Sequence, residues 1–403
     1  MYLSLDIETN GLEIDTKINY IGAYTEANGK EYYKIWSMPE DLEDFRTFIN
    51  KRLENKDKFI FQHGKFDTAR ILYSYGIDIP IHDDTVYLGY LLSTVTELKD
   101  NKYDKWLSLK SMAQRYLGVK NWDIEKSKKT SKSYNDVVPY LKLDCKYTYM
   151  LFMLLKNKLP KRAFKTYELL IKMANAYKYI EYNGVPIDMT KLLEVLNRTH
   201  EEIKETESSL KVFADINYSS PAQLQKLLFI DLGLPIVSYT DKGQPTTGIE
   251  TLKTLDGKHP IIEHIIKLRG LNKKKSFLES WKDNAVIHNV RERSKYYLHP
   301  TFNLHSTVTG RTSSSNPNFQ QIPRDKELKS IFCSNEYDWL FVCADYSQAE
   351  LRFAALIADV KEMKRAYLAG EDLHTNIAAV VNGIPKEEVT KEQRTAAKAV
   401  NFG

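Results

Sequence analysis

The stretch MYLSLDIETNGL, residues 1–12, alternates apolar and polar side chains with the period of a β-strand. The leucines and the isoleucine at its odd positions share one face, which places Asp6 and Glu8 together on the other. Their Cα atoms should lie about 6–7 Å apart, since a strand rises about 3.3 Å per residue. Two such acids repel each other unless a cation lies between them, and carboxylate oxygens suit Mg²⁺ or Mn²⁺. On this stretch alone, a solvated polar face of an edge strand is the commoner explanation.

The composition predicts a folded protein of two or three domains. The chain has 403 residues, 42% of them hydrophobic, and a formal net charge of +5, which is compatible with a nucleic-acid partner but not specific for one. Its three cysteines show no metal-ligand spacing, which favours a reducing, cytoplasmic compartment, and Cys343, in an apolar run, should be a small core residue. An acid at residue 6 argues against a signal peptide, and no apolar stretch is long enough to span a bilayer.

A third acid lies at the start of a predicted helix. FIFQHGKFDTARILYSYG, residues 59–76, predicts a strand, a short loop and a helix that ends near Gly76. Asp67 falls in the first turn of this helix. Taken alone, Asp67 is explained as well by a favourable interaction with the helix dipole, or as an ordinary surface acid.

A fourth acid shares a helix face with a tyrosine. DVVPYLKLDCKYTYMLFMLL, residues 136–155, predicts a long helix with Pro139 near its start. Tyr140 and Asp144 are four residues apart and therefore lie on one face. A single pair of this kind is usually a surface pair.

Together, the motifs D-x-E, F-D before a helix and Y-x-x-x-D on a helix resemble the DEDDy-type 3′→5′ exonucleases, in particular the proofreading domain of family A DNA polymerases. The resemblance covers about residues 1–158 and implies an α/β, RNase H-like fold. It implies that Tyr140 orients the attacking water and that four acids hold two Mg²⁺ or Mn²⁺ ions: Asp6, Glu8, Asp67 and Asp144. Two metals about 3.5–4 Å apart can activate the water and stabilise the leaving oxygen. His63 stands where the family usually has Asn, four residues before the aspartate, which leaves the fine activity open.

The middle of the chain, from residue 159 to about 295, is predicted to be mostly helical. Its order of elements, including YIEYNGVPID and SSPAQLQKLLF, resembles the thumb of family A polymerases, which grips duplex DNA through its backbone. KLRGLNKKK, residues 267–275, carries five cations: Lys267, Arg269, Lys273, Lys274 and Lys275. In isolation this run is more often a solvated helix face. As part of a thumb, the five cations would contact DNA phosphates without reading sequence.

A long polar signature follows. HSTVTGRTSSSNPNFQQIP, residues 305–323, would by composition be a polar loop, but it closely resembles a family A polymerase motif. The resemblance implies that Arg311 reaches the minor groove near the primer terminus. Since every base pair presents acceptors there, an arginine can test pairing geometry without reading sequence.

The next stretch is WLFVCADYSQAELRFAALIADV, residues 339–360. Its first half predicts a buried strand that ends at Asp345, and Ser347 and Glu350 have the spacing of a capping box at the start of a helix. The string resembles polymerase motif A. The resemblance implies that Asp345 binds the catalytic Mg²⁺ ions, that Gln348 belongs to the substrate site, and that Glu350 excludes a ribose 2′-hydroxyl.

The last motifs lie near the end of the sequence. In DLHTNIAAVV, His374 matches a family position near the incoming triphosphate, although it fits a surface histidine as well. RTAAKAVNFG, residues 394–403, resembles the fingers helix of motif B. There Arg394 and Lys398 would meet the dNTP phosphates, and Phe402 would lie against the sugar and base and discriminate against dideoxynucleotides. Alone, this stripe would be an amphipathic helix with two exposed cations.

The primary hypothesis is therefore the N-terminal part of a replicative family A DNA polymerase. Its expected parts are an exonuclease (1–158), a thumb with connecting helices (159–300), and an incomplete palm with the start of the fingers (301–403). Its partners would be primer–template DNA, single-stranded 3′ ends and dNTPs. Because the family's motif C, a His-Asp-Glu segment that carries the second catalytic carboxylate, is not among these residues, we expect a second polypeptide to supply it. A truncated gene product or an expression fragment explains the same observation, and the sequence does not separate these alternatives. The compact arrangement, together with a split polymerase, favours a phage source and thus a host cytoplasm.

Two alternatives remain open from the sequence. The chain could be a stand-alone 3′→5′ exonuclease whose remaining residues only bind DNA, or a non-catalytic DNA-binding subunit of a polymerase assembly. The four acids argue against the second of these.

Overall fold

The computed structural model describes residues 1–100, 103–120, 122, 133–240, 242–290, 293–336 and 338–402. By its packing the chain divides into two units, Met1–Asn335 and Glu336–Gly403, and each is described by itself. Within the described residues, every helix is too short or too polar to cross a membrane.

The first unit begins with a five-stranded mixed sheet. Its strands, in the spatial order β3-β2-β1-β4-β5, are β1 (Tyr2–Thr9), β2 (Ile18–Ala27), β3 (Lys30–Ser37), β4 (Lys58–Phe61) and β5 (Asp83–Asp84). β1 pairs antiparallel with β2 and parallel with β4. The predicted first strand is confirmed: its odd-numbered apolar side chains are buried, and Asp6 and Glu8 are half-buried on the other face.

Helices cover this sheet. They are α1 (Leu42–Glu54), α2 (Gly64–Tyr75), α3 (Thr85–Leu92), α4 (Val95–Asp100), α5 (Tyr103–Trp106), α6 (Leu109–Leu117), α7 (Tyr134–Lys158) and α8 (Phe164–Asn183). The two helices that were predicted to carry Asp67 and Asp144 are both confirmed. Asp67 lies in the first turn of α2, which ends at Gly76 with a φ of 65° that suits glycine. Pro139 lies in the second turn of α7.

The middle of the chain is mostly helical, as predicted. Its helices are α9 (Met189–Lys211), α10 (Pro221–Gln225), α11 (Ile249–Thr254), α12 (Pro260–Asp283) and α13 (Lys326–Lys329). The strands are β6 (Val185–Ile187), β7 (Ala285–Val290) and β8 (Arg293–Leu298), in the order β6-β8-β7, followed by a hairpin of β9 (Thr301–Asn303) and β10 (Ser313–Ser315). Packing of α9 along α12 buries one apolar cluster from residue 203 to 271, and a second one surrounds Trp281.

The described residues of the second unit form four α-helices: α14 (Ala349–Ile357), α15 (Lys361–Leu368), α16 (Leu373–Asn382) and α17 (Lys391–Phe402). The predicted strand ending at Asp345 is wrong, because residues 339–346 have no regular secondary structure and are exposed. A strand needs a neighbour for its backbone groups, and the described residues of this unit include no strand. Leu340 and Val342 are accordingly 88% and 93% exposed. Cys343 is exposed as well, so its predicted place in a core is wrong.

The predicted capping box is also wrong. α14 begins at Ala349, and its N-cap residue is Gln348, whose φ of 51° is left-handed and whose side chain does not cap the helix. Ser347 therefore lies one residue before the cap position, too early to form the box with Glu350.

The contact between α7 and the sheet explains how distant motifs meet. Gly22 on β2 is paired with Asp6 on β1. A Cβ atom at Gly22 would lie 2.8 Å from Cγ of Leu141 and 2.9 Å from Sγ of Cys145, both fully buried on α7. The absent side chain thus lets α7 approach the sheet beside Asp6, and Asp144, next to Cys145, is brought to the same place.

We expect Gly22→Ala to lower the free energy of unfolding by about 1–3 kcal/mol, because the added methyl group has no room and its neighbours cannot move away. Denaturant unfolding measures this. Gly270→Ala on α12 is the matched control: nothing lies within 4 Å of its Cβ position. In that exposed helical position alanine should stabilise by about 0.5–1 kcal/mol. Equal effects of the two substitutions would contradict the close approach of α7.

Candidate functional site

Three of the four predicted acids come together. Asp6 and Glu8 on β1 and Asp144 on α7 each place a carboxylate oxygen within 4.8 Å of the others. The first two share the strand face that the sequence predicted. Asp144 reaches them because α7 packs against β1 and β2.

The fourth acid lies beside this group without belonging to it. Asp67 on α2 is buried, with 3% of its surface exposed. Its charge acts on Asp6, but its oxygens are not in the set of three. Burial, followed by the charge of Asp84, raises the pKa of Asp67 well above its usual value, while Arg70 acts in the opposite direction.

The chemistry of the donor set fits a divalent cation. Loss of water contacts, followed by the neighbouring carboxylates of Asp67, Asp144 and Glu8, raises the pKa of Asp6 well above its usual value. The negative charges of these carboxylates thus act on one another at short range. Carboxylate oxygens are the ligands that Mg²⁺ and Mn²⁺ prefer, so the group can hold such an ion.

Tyr140 lies next to the acids, on the same face of α7 as Asp144. Burial, followed by the charges of Asp144, Glu8 and Asp6, raises the pKa of Tyr140. Nζ of Lys110, on α6, donates to Oη of Tyr140 over 2.6 Å. The indole Nε1 of Trp122 donates to Oδ1 of Asp144 over 2.5 Å. The sequence analysis identified neither Lys110 nor Trp122.

Asp84 on β5 shapes the turn before α2. His63 has a left-handed φ of 64°, and the carboxylate of Asp84 accepts from its backbone N–H over 3.1 Å and from that of Gly64 over 2.8 Å. The same carboxylate caps α3 through Val86. Burial raises the pKa of Asp84 to about 7, against the effect of these backbone bonds. Asp84 thereby sets the start of the helix that carries Asp67. Its position before Thr-Val was a recognisable N-cap signal that the sequence analysis did not use.

A cavity of about 510 Å³ adjoins α2. Leu12, His63 and Phe66 line one side, and residues 301–305 and 315–316 line the other. The buried ion pair of Lys65 and Glu181 lies in this region, and Glu181 also accepts from the backbone N–H of Phe302 over 2.6 Å. These contacts tie the β9 segment to the exonuclease-like part of the first unit. Leu12 is 67% exposed, so an apolar side chain faces solvent at the cavity.

The five cations predicted to contact DNA differ in their surroundings on α12. Lys267 and Lys273 are exposed, whereas Lys274 is only 12% exposed and forms ion pairs with Asp325, at 3.4 Å, and Glu327. Arg269 donates to the backbone oxygen of Thr247. Lys275 lies 3.7 Å from Glu279.

In the second unit, Asp345 and Glu350 are exposed. Arg394 on α17 makes a two-pronged contact with Asp372, through Nε over 2.6 Å and Nη2 over 3.2 Å. Nε2 of Gln348 donates to the same carboxylate over 2.6 Å. Partial burial acts in the opposite direction, but the bonds from Arg394 and Thr375 hold the pKa of Asp372 well below its usual range. Gln348 and Arg394, two predicted substrate-binding residues, thus donate to the same carboxylate, that of Asp372. The sequence analysis did not identify Asp372.

The remaining predicted residues are placed as follows. His374 on α16 is buried, which lowers its pKa. Lys398 is exposed on α17, four residues after Arg394 as predicted. Arg311 is exposed on the loop between β9 and β10. The side chain of Phe402 lies outside the described residues.

Comparisons with known proteins agree with the two-part division of motifs. A family model described as "DNA polymerase family A" matches residues 189–403, and one described as "3′-5′ exonuclease" matches residues 1–160. DNA polymerase I of Aquifex aeolicus is 31% identical over 417 residues, covering all of this chain and 68% of its own length. The thermostable DNA polymerase I of Thermus aquaticus is 37% identical over 233 residues, covering 56% of this chain and 27% of its own length. The matched part of the chain spans about a quarter of the length of this relative and of several others.

A solved structure shares the fold. It is the POL domain of Pol1 from M. smegmatis in complex with DNA primer-template and dNTP, with a TM-score of 0.75 at 22% identity, covering 100% of this chain and 66% of that one. The mixed fold predicted from the sequence is confirmed.

Proposed function

Since the chain belongs to DNA polymerase family A, we propose that its exonuclease part hydrolyses single-stranded DNA from the 3′ end and that the rest forms part of a DNA-directed DNA polymerase. The protein would act in the reducing cytoplasm, as its three free cysteines favour. The observation that carries the exonuclease proposal is the meeting of Asp6, Glu8 and Asp144 within 4.8 Å, with Tyr140 beside them.

Two divalent ions, Mg²⁺ or Mn²⁺, would be held by these three acids and Asp67. When bound, they would polarise the scissile phosphate and lower the pKa of water. The chain's own residues orient the reactants. Tyr140 places a hydroxyl beside the acids, where it can position the attacking water, and α2, whose start is set by Asp84, holds Asp67 buried behind them. Digestion of a 3′-labelled single strand with and without Mg²⁺ tests this proposal.

The cavity beside α2 suits the last nucleotide of an unpaired strand. Leu12 and Phe66 offer apolar surface against a base, and His63, which replaces the family's asparagine, can donate to a phosphate or sugar oxygen. Two residues that line the cavity also adjoin the acids along the chain. Leu12 is four residues after Glu8, and Phe66 precedes Asp67.

The polymerase half would bind primer–template DNA and a dNTP, the ligands named for the M. smegmatis Pol1 domain. Asp345 would bind Mg²⁺, and Gln348, Glu350, His374, Arg394, Lys398 and Phe402 would surround the nucleotide. Arg394 must then exchange the Asp372 carboxylate for phosphate, a ligand with the same two-pronged geometry. A further segment, on the same polypeptide or a second one, would supply the second carboxylate.

For the thumb, we expect Lys267→Gln with Lys273→Gln to lower the slope of log affinity against log salt by about 1.8, at about 0.9 for each lost contact with duplex DNA. Both side chains are exposed on α12. Titration of a labelled duplex at several salt concentrations measures the slope. Lys274→Gln is the matched control: its ion pairs with Asp325 and Glu327 predict lower stability but an unchanged slope. A double variant with the wild-type slope would contradict a thumb contact at these lysines.

A further inference from the structure

Two hydrogen bonds reach the acid site from a segment that carries none of the predicted acids. Lys110 on α6 donates to Tyr140, and Trp122, which follows α6 in the chain, donates to Asp144. Both acceptors lie on one face of α7. The two donors therefore act on Tyr140, whose hydroxyl would orient the water, and on Asp144, which belongs to the acid cluster.

The indole of Trp122 is itself held in place. Its ring packs against that of Tyr147, with centroids 4.4 Å apart, and Tyr147 lies three residues after Asp144 on α7. An indole N–H can only donate, so the bond to Oδ1 requires an unprotonated oxygen there. A donor fixed on one oxygen restricts rotation of the carboxylate, and so fixes the direction of the other oxygen.

Lys110 acts on Tyr140 by the same logic. An ammonium group offers only donors, so the phenolic oxygen must be the acceptor in this bond. The single phenolic proton can then be donated to another acceptor, and the Asp144 carboxylate, four residues on along the same helix face, acts on this hydroxyl. The ammonium also lies 4.5 Å from the centre of the Tyr140 ring. Lys110 thus holds the hydroxyl of Tyr140, and Trp122 holds the carboxylate of Asp144 on the same face of α7.

We propose that Trp122 and Lys110 are positioning residues of the exonuclease site. Trp122 fixes the Asp144 carboxylate as a ligand for the divalent cation, and Lys110 fixes the hydroxyl of Tyr140. This inference rests on the proposed exonuclease function. It assigns a task to two side chains outside the motifs that carry the acids.

The first test is the affinity for Mn²⁺ alone, measured by calorimetry on the full chain without DNA. Trp122→Phe keeps the ring and removes the N–H donor. We expect Mn²⁺ to bind 10–100-fold more weakly, the usual effect of removing a partner of a metal-binding group. Trp106→Phe is the matched control, because its Nε1 donates over 2.9 Å to the hydroxyl of Ser93 rather than to a carboxylate. Mn²⁺ affinity within twofold of wild type in Trp122→Phe would overturn the role of Trp122.

The second test separates Lys110 from Trp122. Lys110→Met should leave Mn²⁺ affinity within about threefold of wild type, and should lower kcat on a 3′-labelled single strand about tenfold with little change in KM. Lys110→Arg, which keeps a cationic donor, should recover most of this loss. A purely structural role would give the same loss in both variants, and that result would overturn the role of Lys110.

A third measurement does not depend on a variant of Trp122 folding well. The chain has five tryptophans, so ¹⁵N labelling gives five indole N–H resonances. Mg²⁺ addition and Asp144→Asn should each shift the resonance of Trp122, and five unmoved resonances in both experiments would overturn its bond to Asp144. None of the binding experiments uses exonuclease activity. A wild type that binds Mn²⁺ but does not digest DNA contradicts the proposed function, and leaves the assignment of Trp122 to be judged on its own data.

Discussion

Asp6→Ala should abolish digestion of single-stranded DNA from the 3′ end, with a loss of roughly 10³-fold or more. A metal in such a site is worth several kcal/mol of transition-state stabilisation, and each 1.36 kcal/mol is a factor of ten in rate. Asp6 contributes one of the three clustered carboxylates, and the charges of Asp67, Asp144 and Glu8 all act on it. Single-turnover digestion with saturating Mg²⁺ measures the loss directly.

The same substitution should not unfold the chain. Removing one of several mutually repelling acids relieves repulsion, so the melting temperature without metal should be equal to that of wild type or higher. Mg²⁺ should raise the melting temperature of wild type, because it binds only the folded state, and should lose this effect in Asp6→Ala. Asp345→Ala, in the other unit, is the control and should digest DNA at the wild-type rate. Wild-type digestion by Asp6→Ala would show that the acids are not the catalytic site.

The sequence predicted the local parts of this site well. Period-two alternation in residues 2–9 places Asp6 and Glu8 on one face whatever the rest of the chain does. The predicted order of strand, loop and helix likewise places Asp67 at the start of α2, and helix periodicity places Tyr140 beside Asp144 on α7. These features depend on residues near one another in the chain, for which propensity and pattern are informative.

The assembly of these parts depends on tertiary packing that no local pattern encodes. α7 reaches the sheet because Gly22 lacks a side chain opposite Asp6, a role invisible in the sequence around Gly22. The bond from Trp122 to Asp144 spans 22 residues and has no periodic signature. The ion pair of Arg394 with Asp372 has no periodic signature either. It joins a side chain on α17 to the residue that caps the start of α16.

The wrong strand at residues 339–345 has a related cause. A short apolar run favours a buried strand, but a strand exists only where another strand accepts its hydrogen bonds. Composition can predict that Leu340 and Val342 should be buried, yet not which segment covers them. Their exposure in the second unit is consistent with a surface that another segment would bury.

Residues 1–403 alone should not extend a primer. A polypeptide that carries the family's motif C, with the second catalytic carboxylate, should restore synthesis. In-line displacement at a two-metal site needs carboxylates that hold both ions, and Asp345 is one exposed acid on a stretch without regular structure. Arg394, which is proposed to bind a dNTP phosphate, is paired with the Asp372 carboxylate instead. Primer extension with labelled DNA and all four dNTPs measures both outcomes.

Restored synthesis should require Asp345, so Asp345→Ala in the mixture should remove it, while Asp6→Ala should remove only the digestion of the 3′ end. Docking of the added polypeptide should cover the apolar side chains of Leu340 and Val342, and the mixture should therefore melt higher than either part. Replacing these two side chains by serine should weaken the association without affecting exonuclease activity, since they lie in the other unit. Templated extension by residues 1–403 alone, abolished by Asp345→Ala, would instead mean that the described residues complete the polymerase site without any further carboxylate.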